Sequence, residues 1–327
     1  MISKEEILGR LLEAFKLRPV IVDIGSSGGG QFIFQTIARH SMIIGFDPDA
    51  RGQDVHFAKG FKEQILVPKA VVSDQQANDV TFILTRHSSC SSTLSPNWES
   101  VQNFVFRDYF DPINTVKVPA TTLNKVAEEY GIEAFDWIKV DSQGTDLRIL
   151  CSLKPKLQDR LMAVDVEPGL LDFYVGEDTF TSTHDFLVSH AFWMSDLQHQ
   201  DYVYMTPETQ KWASKLTGKE EVETFLGKSP ICIEGRYMRT IAHLNKVGIR
   251  ERRLAFVFAL LNNKVGYAFE ILRQFQGLIG EPPLEKLCMD SAYALLNIPS
   301  PESKSIVTRT KRRIIRKVKQ MVNRMDI

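Results

Sequence analysis

"VIVDIGSSGGGQFIFQTIARH", Val20 to His40, decides the fold. Its first residues form an apolar run broken only by Asp23, the pattern of a parallel strand covered on both faces. The glycines Gly25 and Gly28–Gly30 follow, and then an amphipathic run predicts a helix reaching about Arg39. Strand, glycine bend and helix make the opening unit of a doubly wound α/β sheet. The bend falls at the carboxyl end of the strand, where such sheets bind ligands. Backbone without side chains lets amides approach a ligand closely, and the helix adds its amino-terminal partial positive charge. A tight turn with no ligand is the plainer alternative.

Apolar runs and helical periodicities keep alternating from there. "MIIGFD" (42–47), "KAVVSD" (69–74), "DVTFILT" (79–85), "FDWIKVD" (135–141) and "LMAVDVE" (161–167) predict strands, with a helix between the last two. Thr121 or Thr122 caps a helix that places Leu123, Val126, Ala127 and Tyr130 on one face and closes at Gly131. "AFWMSDL" (191–197) and "ICIEGRYM" (231–238) predict two more strands, and the polar segment from Asp201 to Ser229 predicts a loop with a short helix. Residues 3–16 set Ile7, Leu8, Leu11, Leu12 and Phe15 on one helical face. Beyond Ile241 the pattern is wholly helical, punctuated by Pro282-Pro283, Pro299 and Pro301. The expected organisation is an α/β domain over 1–242 that includes the N-terminal helix, a helical extension over 243–300 and a basic tail over 301–327.

The composition, 43% hydrophobic and 24% charged, is that of an ordinary globular protein, which excludes a disordered or fibrous chain. No apolar run reaches membrane-spanning length, and the N-terminus "MISKEEILGR" lacks the basic and apolar regions of a signal peptide, so cytoplasmic residence is expected. Cys90, Cys151, Cys232 and Cys288 lie far apart without a CxxC pair, which predicts reduced thiols and no zinc site. The net charge of zero hides an asymmetry: residues 302–327 carry nine Lys and Arg against Glu302 and Asp326, so the tail is +7 and the body −7.

Two ligand classes use a glycine bend of this kind. A dinucleotide sets its pyrophosphate there, usually on G-x-G-x-x-G. S-adenosylmethionine instead carries an ammonium, a carboxylate and a sulfonium. Here the pattern is D-x-G-x-x-x-G, with Asp23, Gly25 and Gly29, and Ser26 lies inside the bend. A carboxylate beside the bend suits a cationic donor and repels pyrophosphate. The second strand ends in Asp47-Pro48, and an acid there holds ribose hydroxyls of either cofactor. The charges favour S-adenosylmethionine.

Further motifs occur in order: "VVSD" (71–74), "VKVPATTLNKV" (116–126), "DWIKVDSQGTDLRIL" (136–150) and "AVDVE" (163–167). With "VDIGSSGGG" and "FDPD" they resemble the FkbM-type S-adenosylmethionine-dependent methyltransferases, "IKVDSQGTD" most specifically, over roughly residues 20–200. "EGRYMR" (234–239) resembles the family's closing strand. Asn124 and Asp146 depart from the residues commoner there, Asp and Glu. The resemblance implies a Rossmann-like methyltransferase sheet, mostly parallel with an antiparallel final strand. It implies a loop at Ser73 and Asp74 beside the adenine, and Asp141 facing the methionine portion or the acceptor. The implied reaction is methylation of a hydroxyl on a sugar, polysaccharide or small metabolite. A nicotinamide-dependent oxidoreductase and a non-catalytic scaffold on the same fold are the rival readings.

Strand alternation puts Trp137, Lys139 and Asp141 on one face. A lysine inside a buried strand needs a partner, and Asp165 or Glu167 on the neighbouring strand can supply one, as a structural ion pair or as part of a site. An alcohol acceptor loses a proton on methylation, so a base helps. Asp141, His87 in the polar loop "TRHSSCSSTL" and Glu167 are the candidates, in that order; a solvated loop histidine is the plain reading of His87. No spacing of ligands demands a metal. In the tail, Ile314, Val318, Met321, Val322 and Met325 form one helical stripe among arginines and lysines. That is the pattern of a helix lying on a membrane surface, at the inner face for a cytoplasmic protein, and equally of a solvated or dimer-forming helix. Nucleic acid is not expected, because no aromatics interleave the charges.

Overall fold

The computed structural model describes residues 2–26, 32–48, 59–277 and 279–298. In chain order the elements used below are α1 (Lys4–Phe15), β1 (Val20–Ile24), β2 (Met42–Phe46), β3 (Glu63–Val67), β4 (Ala70–Val71), β5 (Asp79–Thr85), β6 (Pro112–Thr121), α2 (Leu123–Glu129), β7 (Trp137–Val140), α3 (Asp146–Cys151), α4 (Pro155–Arg160), β8 (Ala163–Val166), α5 (Phe180–Ser189), β9 (Phe192–Tyr202), α6 (Pro207–Thr217), β10 (Ser229–Arg239), α7 (Val265–Gln274) and α8 (Pro282–Leu295). They fall into two compact units, Leu17–Ala255 and Met1–Lys16 with Phe256–Ile327.

The first unit holds a seven-stranded sheet in the order β3-β2-β1-β7-β8-β10-β9. The five strands from β3 to β8 run parallel, and β10 is antiparallel to both its neighbours. This is the expected mostly parallel α/β sheet, with the antiparallel strand inserted beside β8. One face is apolar: Val22, Ile24, Ile44, Phe46, Ile138, Val140, Val164 and Val166 pack with Leu123 and Val126 of α2, Ile149 and Leu150 of α3, Leu157 of α4 and Leu187 of α5. Burying that face stabilises the sheet by roughly 25 cal/mol per Å² of apolar surface removed from water.

The alternate residues carry charge. The register places Asp23 opposite Lys139, Lys139 opposite Asp165, Asp165 opposite Arg236 and Arg236 opposite Asp196. A row of alternating sign therefore crosses five strands, and opposite charges set directly across from one another are the favourable pairing in a sheet. Arg236 donates to both carboxylate oxygens of Asp165, 2.8 Å each, and stands over the Trp137 ring at 5.1 Å.

Several expectations are corrected. The strand expected over 69–74 is only Ala70–Val71 and belongs to a second sheet, β4-β6-β5. The third strand of the main sheet is β3, whose residues are mostly exposed, so no apolar run announced it. β6 was hidden for the same reason: its first eight residues are exposed or half-buried. The helix expected up to Arg39 is a short turn, Phe32–Gln35, followed by Ala38–His40 in 3₁₀ form. Thr122, not Thr121, caps α2, accepting from the Lys125 amide at 3.2 Å. The 201–229 segment contains a full eleven-residue helix, α6.

The second unit is helical. α1 buries Ile7, Leu8, Leu11, Leu12 and Phe15, starts at an N-cap Ser3 and packs against α8, which in turn packs against α7. Lys4 Nζ donates to Leu261 O at 2.6 Å and to Asn263 Oδ1 at 2.8 Å. The N-terminal helix thus groups with the helices after Phe256 rather than with residues 17–255. The basic tail lies outside the described residues.

Asp136 pins the start of β7. It is fully buried, accepts from the Val20 amide at 2.8 Å and receives both terminal nitrogens of Arg250 at 2.8 Å. Asp136→Ala strands a half-buried guanidinium and the Val20 amide, so it is expected to lower stability by about 2–4 kcal/mol in urea unfolding. A loss under about 1 kcal/mol contradicts this reading.

Candidate functional site

A cleft open to solvent, about 680 Å³ with its open mouth counted, lies at the carboxyl ends of β1, β2 and β7. Ile24 and Gly25 enter it from β1, Phe46, Asp47 and Pro48 from β2, and Asp141, Ser142, Gln143 and Thr145 from the turn after β7. Ala70, Val71 and Phe82 extend the apolar wall, and Ser88, Ser89, Ser91 and Thr93 make a wall of hydroxyls. Lys69 is the one cation among the described lining residues.

The bend at Gly25 needs glycine. Its φ is +77°, and a β-carbon there would overlap the carbonyl oxygen of Asp141. The Gly25 amide donates to Phe46 O at 3.0 Å and the Asp141 amide to Ile24 O at 3.1 Å, so β2, β1 and β7 are stitched together at the floor. Ser26 is buried, its hydroxyl on Phe46 O at 3.3 Å, and does not line the cavity. Gly29 lies outside the described residues.

Asp23 is not at the rim. Strand alternation turns it onto the sheet face, 2% exposed, with Lys139 Nζ 3.9 Å from its Oδ1. The carboxylates that reach the cavity are Asp47 and Asp141. Ser73 and Asp74 do not line it either, because β4 ends at Val71. Asp74 caps a turn by accepting from the Gln76 amide at 2.8 Å, and the wall there is Lys69, Ala70 and Val71 instead.

Lys139 sits among three carboxylates: Asp141 Oδ2 at 3.1 Å, Glu167 Oε1 at 3.7 Å and Asp23 Oδ1 at 3.9 Å. Of the two partners expected for it, Glu167 is near, while Asp165 is taken by Arg236. Burial alone would discharge the ammonium, but the carboxylates around it, Asp141 foremost and then Asp23, outweigh it and hold Lys139 well above its ordinary range. One cation cannot neutralise three acids. Burial, and then the charge of Asp141, push Glu167 up to about 9, and burial pushes Asp23 up to about 6 against the pull of Lys139. Glu167 therefore keeps its proton at neutral pH, and the contact with Lys139 is that of a neutral acid. It borders a separate small cleft with Asp196 and Glu234, not the cavity.

Asp141 is held on both oxygens. Lys139 donates to Oδ2, and Gln143 Nε2 donates to Oδ1 at 2.5 Å. The other end of the Gln143 amide accepts from the Tyr174 hydroxyl at 2.8 Å, which also lies 3.0 Å from Cys90 O. Gln143 has a left-handed φ of +56° and Gly144 one of +101°. Such a conformation in a non-glycine residue costs of order 1–3 kcal/mol and persists where surrounding contacts fix it. Asp146, in the first turn of α3, accepts from the Ser142 amide and hydroxyl and from the Glu167 amide at 2.6–3.1 Å, tying the turn to the end of β8. His87 is exposed beside the hydroxyl wall, Nδ1 2.7 Å from Ser89 Oγ and its ring stacked on Tyr109 at 4.9 Å; it does not line the cavity.

A family model for the methyltransferase FkbM domain matches residues 38–204, just over half of the chain. The chain belongs to that family. This FkbM-domain protein is thus a methyltransferase, and the matched stretch runs from the turn before β2 to the end of β9. No curated protein matches it. A solved structure described as "Structure of an antibiotic related Methyltransferase" is similar at 12% identity over 73% of this chain and 96% of that one, with a TM-score of 0.26. Among the described residues of the FkbM protein no helix is long and apolar enough to cross a membrane, and no group of three or more His, Cys, Asp and Glu is disposed to hold a metal ion. Gln143 and Tyr174 were missed from sequence. The glycine after Gln143 marked the turn, and nothing marked Tyr174.

A carboxyl group raised from 4.5 to about 9 on folding makes stability present below about pH 4.5 and lost as pH rises toward 9, because only the unfolded chain releases that proton in between. Glu167→Gln copies the protonated form. It is expected to match the wild type near pH 5 and exceed it near pH 8 in urea midpoint, and equal midpoints at both pH values contradict the assignment.

Proposed function

We propose that the protein transfers a methyl group from S-adenosylmethionine to a hydroxyl oxygen of a sugar, a polysaccharide or a small hydroxylated metabolite. The observation that carries this is the cavity floor: a side-chain-free bend at Gly25 pressed against the Asp141 backbone, with Asp47 and Asp141 as the carboxylates around it. That donor set suits a ligand with ammonium and sulfonium charges and repels a diphosphate. The apolar strip of Phe46, Val71 and Phe82 suits a flat base. When bound, the donor supplies an electrophilic methyl group on sulfur.

The protein's own residues bind, orient and take up a proton. Asp47, at the end of β2, holds the ribose hydroxyls by charge-assisted hydrogen bonds. Gly25 lets the backbone close on the donor. Asp141 faces the cavity with its rotamer fixed from both sides by Lys139 and Gln143, and it accepts the acceptor's hydroxyl proton and passes it to solvent through the open mouth. Ser88, Ser89 and Thr93 offer donors and acceptors to a polyhydroxylated acceptor. Glu167 already holds a proton at neutral pH and His87 stands outside the wall, so Asp141 leads both as the base. The reaction belongs in the cytoplasm, and the basic tail 302–327 offers a peripheral contact with the membrane's inner face.

Calorimetry with S-adenosylhomocysteine is expected to give a saturable site that NAD does not compete for. Asp47→Ala is expected to weaken it by about 1.5–3 kcal/mol, roughly ten- to over a hundredfold. Unchanged affinity removes Asp47 from the site, and NAD binding in its place overturns the donor. Transfer of radiolabelled methyl to a panel of glycosides, lipid-linked sugars and hydroxylated metabolites, lost in Asp141→Asn, identifies the acceptor.

A further inference from the structure

Between β9 and β10, beyond the stretch matched by the family model, the chain inserts α6. This helix is built to exist without a core. Thr206 caps it through the Thr209 amide, Pro207 opens it and Gly218, at φ +67°, closes it. None of its eleven residues is buried. Its inner side is polar or small: Ala213 packs toward Val203, Met205 and Val222, Gln210 donates to Glu223 at 2.8 Å, and the Ser214 hydroxyl reaches Glu220 O at 3.3 Å.

The outer side is the anomaly. Trp212 is 63% exposed and Leu216 70%, one helical turn apart. Lys211 and Lys215 flank them, and Lys219 follows two residues past the end with its ammonium 3.4 Å over the Phe225 ring, itself 64% exposed. The single acid on this side, Glu208, is engaged by both terminal nitrogens of Arg107 at 2.6 and 3.1 Å. The outer face of α6 thus carries an exposed Trp and Leu with two lysines and one neutralised glutamate, and the segment after it adds Lys219 and Phe225 beside the exposed Glu220 and Glu221. Cores of protein–protein interfaces are depleted of lysine. The boundary of a bilayer selects this mixture, with Trp at headgroup depth, apolar side chains below and lysine ammoniums reaching up to phosphates.

We propose that the outer face of α6, with Phe225, docks on the surface of an anionic phospholipid bilayer. Trp212, Leu216 and Phe225 enter the headgroup boundary, and Lys211, Lys215 and Lys219 face the lipid phosphates. One shallow helix binds weakly and stable attachment takes two signals; the +7 charge of residues 302–327 supplies a second cationic segment in the same chain. The inference concerns where the protein works and stands apart from the identity of the methyl donor and acceptor.

The full chain is mixed with vesicles of phosphatidylcholine alone, or of equal parts phosphatidylcholine and phosphatidylglycerol, and sedimented. Binding to the anionic vesicles is expected, with a blue shift of tryptophan emission that Trp212→Phe abolishes. A lysine beside an anionic surface strengthens binding by about fivefold, so Lys211→Gln with Lys215→Gln is expected to weaken partitioning roughly twenty-five- to thirtyfold at an unchanged thermal midpoint. Trp212→Ala with Leu216→Ala is expected to weaken it comparably. A chain ending at residue 301 is expected to bind more weakly but to keep its Trp212 shift. The proposal is overturned if the full chain ignores anionic vesicles, if both α6 double variants bind as the wild type does, or if the emission shift survives Trp212→Phe. Loss of all binding on removal of the tail overturns it as well, because the tail then acts alone.

Discussion

The interior of the sheet depends on how charges of alternating sign are shared across it. Asp165 is the hinge of that arrangement. It sits opposite both Lys139 and Arg236, and Arg236 takes both its oxygens. Lys139 is left to reach along the strand axis toward the carboxyl end of the sheet, where Asp141 and Glu167 stand. A structural row of ion pairs becomes, at one end, the floor of a site. Buried ion pairs are a weak source of stability by themselves, and a residual value lies in fixing one arrangement against others. Here the fixed arrangement is the aim of Asp141.

The same logic explains why the residues around the cavity stand in demanding backbone conformations. Gly25 and Gly144 have positive φ, and so does Gln143, which has a β-carbon to accommodate. The turn is held from three sides: by Asp146 accepting three donors, by Ser92 Oγ on Gln143 O at 2.6 Å and by Tyr174 on the Gln143 side chain. Loops 90–97 and 173–178 are in turn joined to each other through Asn97 to Phe173 O and Val175 to Ser95 O. A carboxylate is aimed when its supports lock its rotamer, and Asp141 is supported by groups up to 84 positions apart in the chain.

The central strands were legible in the sequence because they are buried on both faces and read as apolar runs: β1, β2, β7 and β8 lie where the runs lie; β5 also lies where expected, as a mostly exposed or half-buried edge strand of the small sheet. β3 and β6 were not legible, since their exposed residues give no run and their hydrogen bonds come from partners distant in sequence. The site was legible by position and less so by direction. Asp47 and Asp141 fall at strand ends and face the cavity, as expected of residues there. Asp23 is one residue short of the strand end, and alternation with period two was enough to turn it onto the sheet face, beside Lys139. The attraction between Asp23 and Lys139 is long-range in sequence, and no local pattern states it. Ser73 and Asp74 do not reach the cavity for a different reason: the strand they were assigned to ends three residues earlier, at Val71.

Where the family match begins and ends also divides the labour of the chain. Residues 38–204 carry β2 through β9, hence Asp47, Asp141, Glu167 and the hydroxyl wall. Outside it lie Gly25, the bare bend against Asp141, and Arg236, which secures Asp165. The matched stretch therefore contains the proposed acceptor side and half of the donor side, and it cannot assemble the charge row without β1 and β10. α6 lies outside it too, yet makes no contact that the row or the cavity floor requires. Parts that close the charge row are held by chemistry, whereas α6, capped at both ends and with no buried residue, carries none of those contacts. The charge row and the cavity are thereby separate from the exposed face of α6, and in the readings proposed above the one sets the chemistry and the other the location.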